Sequence, residues 1–83
     1  MKNIMNISTR DQVFLNEVTQ ELARARIKFP SQPRYLTLAA LMEEVGELAQ
    51  AALQHRESSV YGEAIQVAVM AMRVAIDTNP EER

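Results

Sequence analysis

Residues 38–53 read LAALMEEVGELAQAAL, and the fold turns on how this stretch is read. On a helix of about 100° per residue, Leu38, Leu41, Met42, Val45, Leu48, Ala49 and Ala52 share one broad face, the core stripe expected of an amphipathic helix. Glu44 and Glu47 are neighbours on a different face, flanked by Ala40 and Ala51, while Glu43 points into a third sector. Small flanking residues let another helix or a ligand come close. Two like charges at this spacing repel by a few tenths of a kcal/mol, and a divalent cation between them reverses that sign. Gly46 costs the helix roughly 1 kcal/mol relative to alanine. The same string also fits an ordinary solvated face, because glutamate is a good helix former.

A second stretch answers the first: residues 63–77, EAIQVAVMAMRVAID. Between Ala64 and Ile76 the only polar side chains are Gln66 and Arg73, so this helix is apolar nearly all round. Two partner helices from one chain leave much of it wet. Burial at about 25 cal/mol per Å² therefore favours self-association, with the third helix near the interface of at least a homodimer. Glu63, Gln66, Met70, Arg73 and Asp77 form one narrow stripe along it. That stripe is either the solvent-facing edge of the helix or a face turned toward Glu44 and Glu47.

The rest of the chain brings these two helices side by side. After a lead over residues 1–8, Ser8 or Thr9 can cap a first helix, and Thr9-x-x-Gln12 fits a capping box. This helix is predicted over about 9–27, with a core stripe of Phe14, Val18, Leu22 and Ala25 widened by Val13, Leu15 and Phe29. Its basic end, Arg24 to Lys28, suits a helix C-terminus; one of these cations, or Arg34, can alternatively reach a phosphate. FPSQPR, residues 29–34, is a loop, with Pro33 fit for the first turn of a helix over about 33–55. Glu57-Ser58-Ser59 is a short turn in which a serine caps a third helix over about 60–77, and a link this short makes the two helices antiparallel. A polar tail closes the chain. The expected fold is all-α: one domain over 1–83, three antiparallel helices completing a helical bundle by homo-oligomerisation.

Composition excludes several classes of function. With no cysteine, thiolate metal sites and disulfides are ruled out, and the single histidine, His55, excludes a multi-histidine site within one chain. A net charge of −2 argues against nucleic-acid binding. The longest apolar run, Val67 to Met72, has six residues, and the N-terminus lacks an apolar signal region, so a cytoplasmic protein without membrane partners is expected.

Taken together, Glu44-Val45-Gly46-Glu47 and Glu63-Ala64-Ile65-Gln66, with fifteen residues between Glu47 and Glu63, resemble the motif pair of the all-α NTP pyrophosphohydrolases. These include the MazG-like proteins, the dimeric dUTP/dCTP pyrophosphatases and the phosphoribosyl-ATP pyrophosphatases. The resemblance covers about residues 10–77. Gln66 stands where the pattern has aspartate, and in its E-x-x-Q-V-A string the chain resembles small MazG-like proteins, many of them from phages and prophages. The resemblance implies a Mg²⁺-dependent (or Mn²⁺-dependent) hydrolysis in which water attacks the α-phosphorus of a nucleoside triphosphate, releasing pyrophosphate and the monophosphate. It implies Glu44, Glu47, Glu63 and Gln66 as metal ligands, with Glu47 and Glu63 catalytic. Glu43 would lie just beyond the ligands, and Arg73 or the basic end of the first helix would contact phosphate. The self-association expected of the third helix gives a homodimer or homotetramer, and the sequence leaves the choice open. Magnesium takes oxygen ligands, and an amide oxygen can serve but brings no charge.

Two alternatives stand beside an active enzyme: a catalytically reduced relative that binds nucleotide or metal, and a helical oligomerisation or partner-binding module with the glutamates as ordinary surface. Phe29, Tyr35 and Tyr61 are candidates for stacking on a base, and equally for packing.

Overall fold

Ser8 starts the first helix of the computed structural model, which describes residues 7–78. Its hydroxyl accepts from the Asp11 amide at 3.1 Å, while the Asp11 carboxylate accepts from the Ser8 amide at 3.0 Å. The capping box is therefore Ser8-x-x-Asp11, one residue earlier than the Thr9–Gln12 pair expected, because Thr9 is already helical. Most of the expected lead and the whole polar tail lie outside the described residues. Within them the chain is all-helical: α1 spans Thr9–Lys28, α2 Arg34–Leu53 and α3 Glu57–Ile76.

Both ends of the α2–α3 connection differ from expectation. Helix α2 stops at Leu53 rather than His55, because His55 takes a left-handed conformation with φ of 57°. The His55 amide then bonds the Ala52 carbonyl and the Arg56 amide the Ala51 carbonyl, a Schellman closure that satisfies two helix-end acceptors. Helix α3 starts directly afterwards at Glu57, not Val60, with its first carbonyl partner supplied by Arg56. Neither serine caps it; Ser58 and Ser59 lie in its first turn.

Helix α3 is the middle element, packed on α1 along one side and on α2 along another. On the α1 side Val18, Leu22 and Ala25 meet Ile65 and Val69, the last only 1% exposed, with Phe14 and Ala68 closing the cluster. The Phe14 ring stands edge-on to Tyr61 at 5.5 Å. This is the stripe expected of α1, although Val13, Leu15 and Phe29 stay exposed.

Helix α2 is rotated from expectation. Its buried side chains are Thr37 and Ala51, with Ala40, Leu41, Glu44 and Leu48 half-buried along the same side. Leu38, Met42 (60% exposed), Val45, Ala49 and Ala52 point outward, as does Leu53 (81%). Ala51, 1% exposed, marks the packed side, and the glutamate-bearing face is turned inward with it. The Glu63–Asp77 stripe of α3 is likewise half-buried or buried rather than a solvent edge.

By length and composition α3 is apolar enough to cross a membrane, although no uninterrupted run is long. Its polar residues Glu63, Gln66 and Arg73 are turned into the fold. Its C-terminal end clamps the α1–α2 loop. Asp77 takes a bidentate pair from Arg26 (2.7 and 3.0 Å) and the Arg73 Nε at 2.9 Å. Arg73 Nη2 donates to the Phe29 carbonyl, Ser31 Oγ to the Asp77 carbonyl, and Arg34 to Thr78 Oγ1.

Candidate metal centre

The antiparallel α2–α3 pair sets Glu44 and Glu47 opposite Glu63. One carboxylate oxygen from each of the three lies within 4.8 Å of the others. Glu44 and Glu63 are half-buried, and Glu47 is open to solvent. Glu44 Oε1 is fully buried and has no hydrogen-bond partner among the described residues. Burial first, then the adjacent Glu63 and Glu47 carboxylates, push the Glu44 carboxyl up to about 7. Close carboxylates with one orphaned oxygen are what a hard divalent cation would satisfy. Oxygens around one Mg²⁺, at bonds of about 2.1 Å, are roughly 3 to 4 Å apart, so modest side-chain adjustment brings this set into range. The donor set therefore fits the ion.

Beside the cluster lies a cleft of about 540 Å³ between the C-terminal half of α1, the following loop, α2 and α3. Phe29, Ala40, Val69 and Met70 supply apolar wall; Glu43, Glu44, Gln66, Arg24 and Arg73 supply the polar part. Exposed Glu43 is thus at the cleft rim beside Glu44. Arg73 is 6% exposed and two of its nitrogens are engaged by Asp77 and the Phe29 carbonyl, so it reaches the cleft as a fixed wall residue. The cations that end α1 have separate tasks: Arg24 pairs with Glu21, Arg26 with Asp77, and Lys28 lies over the Phe29 ring. Tyr35 is exposed and Tyr61 packs on Phe14; neither lines the cleft, whereas Phe29 does.

Gln66 is not free. Its Nε2 donates to Glu21 Oε2 at 3.0 Å, across from α3 to α1. Glu21 also takes Arg24 through both oxygens, at 3.0 and 2.5 Å. These donors, Arg24 first and then Gln66, hold the Glu21 carboxyl below its ordinary range. The sequence reading passed over Glu21. Its only signal is register: it lies three residues after Val18 and four before Ala25, at the edge of the buried stripe.

Comparison with protein-family models, with curated proteins and with solved structures finds no match for this chain.

Proposed function

We propose that the chain is a divalent-metal-dependent nucleoside triphosphate pyrophosphohydrolase, converting an NTP or dNTP to the monophosphate and pyrophosphate. The observation that carries this reading is the convergence of Glu44, Glu47 and Glu63 at the edge of a cleft whose wall also bears arginines. Glu44, Glu47 and Glu63 would hold Mg²⁺ or Mn²⁺, with the Gln66 amide oxygen as a neutral fourth donor. When bound, the ion supplies charge neutralisation for the phosphates and acidifies water. Glu47, the exposed member, is suited to orient the attacking water as it enters from solvent, and half-buried Glu63 to hold the opposite side. The apolar wall at Phe29, Val69 and Met70 is suited to a base or sugar, and Arg24 to phosphate through the guanidinium nitrogen that it does not give to Glu21. Glu43 at the rim and the fixed Arg73 shape the approach.

The test is pyrophosphate release from a panel of ribo- and deoxyribonucleoside triphosphates with Mg²⁺, Mn²⁺ or EDTA. Release that needs metal and disappears in Glu47→Gln supports the enzyme. No release from any nucleotide by folded protein rejects it. A second reading, nucleotide or metal binding without turnover, is favoured by one observation: the position after Glu63 on this face holds a neutral amide, leaving three carboxylates rather than four. Under it the metal-bound protein retains nucleotide uncleaved. A second copy covering the outward face of α2 belongs to both readings.

A further inference from the structure

The wall between the cleft and a smaller cavity of about 320 Å³ is made by Glu21, Arg24 and Gln66, which line both. A carboxylate can only accept, so the Gln66 amide must turn its NH₂ to Glu21 and its carbonyl oxygen away. Glu21 is itself immobilised by the two-point grip of Arg24. Among the described residues no donor bonds the Gln66 carbonyl oxygen, so it stays available. Gln66 follows Glu63 by three residues and shares its face of α3. Without Glu21 the amide can turn over and present NH₂, which cannot ligate a cation.

We propose that Glu21 is a positioning residue: it orients the Gln66 amide so that its oxygen is the end offered to a divalent cation at Glu44, Glu47 and Glu63. The proposal rests on the metal-binding part of the functional reading above. It assigns a role to α1, which contributes none of the three carboxylates of the cluster, and makes Glu21 and Gln66 one unit.

The experiment is Mn²⁺ binding to the full chain, followed by electron paramagnetic resonance and calorimetry, for wild type, Glu21→Met, Gln66→Glu and the double variant. Glu21→Met removes the acceptor but keeps length and helix propensity. It is expected to weaken Mn²⁺ binding roughly tenfold when residue 66 is glutamine, the low end of what outer partners of metal ligands cost. Combined with Gln66→Glu it should cost nothing, because a carboxylate has no wrong end. Glu21→Gln keeps one acceptor oxygen and should lose less, again only beside Gln66; it also serves if Glu21→Met does not fold. Equal losses at Gln66 and in Gln66→Glu would show a general structural role and overturn the proposal, as would no loss in either. Absence of Mn²⁺ binding in folded wild type and in Gln66→Glu is a different outcome: it rejects the metal centre itself, and the positioning role with it.

Discussion

Glu44 has the most perturbed environment among the described side chains, and its consequences follow from sign. In the folded chain its carboxyl is raised from the ordinary 4.5 to about 7 by burial and by Glu63 and Glu47. Between these values the folded state keeps a proton that the unfolded state has released, so stability falls as pH rises through this window. Asp77 works the other way. The Arg26 and Arg73 guanidinia hold it below its ordinary 3.8, so its contribution is complete above that value and is lost as pH falls through the lowered one. Metal-free protein should therefore melt highest in mildly acid solution, near pH 4 to 5. Saturating Mg²⁺ should raise the melting temperature most at and above pH 7, where the proton it displaces is already leaving. A thermal melting series against pH, with and without Mg²⁺, checks this. Glu44→Gln should flatten the upper limb and abolish the Mg²⁺ effect; a Mg²⁺ effect surviving in that variant would remove Glu44 from the site.

At the scale of elements, the loop clamp is a place where one polar change is costly. Arg73 is buried, and Asp77 is its carboxylate partner. Asp77→Ala leaves that charge uncompensated, a loss of about 3 kcal/mol, measurable as a drop in urea midpoint. Arg26→Ala, which removes a more exposed and solvent-screened partner, should lower that midpoint much less. Element order was legible in the sequence. Pro30 and Pro33 break the chain, and the four-four-three spacing of Phe14, Val18, Leu22 and Ala25 marks the buried side of α1. The face of α2 was misread for a physical reason. Its apolar pattern is dominated by large Leu, Met and Val side chains, while packing on α3 is decided by where backbones can approach, at Ala51 and Ala40. The approach of Glu63 to Glu44 and Glu47 follows from motif spacing plus an antiparallel link. The Glu21–Gln66 and Arg26–Asp77 bonds join residues 45 and 51 apart, and no local pattern announces them.

For the molecule as a whole, the outward side of α2 is an unfinished feature. Leu38, Met42, Val45 and Leu53 are exposed there together, with Gly46 and Ala49 between them. A second copy seated on this side would bury them, the small residues allowing close approach. Met42→Glu should then shift the chain toward monomer in analytical ultracentrifugation. Gly46→Ala supplies a finer test. An added Cβ meets nothing within 4 Å among the described residues of the single chain, so in a monomer it should stabilise by up to about 1 kcal/mol. In an assembled protein that gain should shrink or reverse as concentration rises. A chain that is monomeric at all concentrations and gains from Gly46→Ala has no second copy on this side.

The central position of α3 also sets how the molecule can come apart. Its packing with α2 closes over a three-residue link, whereas α1 joins through long-range contacts and the Asp77 clamp. Local opening can therefore release α1 as one cooperative unit while the α2–α3 hairpin, with all three carboxylates, stays formed. The cleft then behaves as a hinged mouth whose moving jaw is α1, and the cation would be retained by the jaw that does not move.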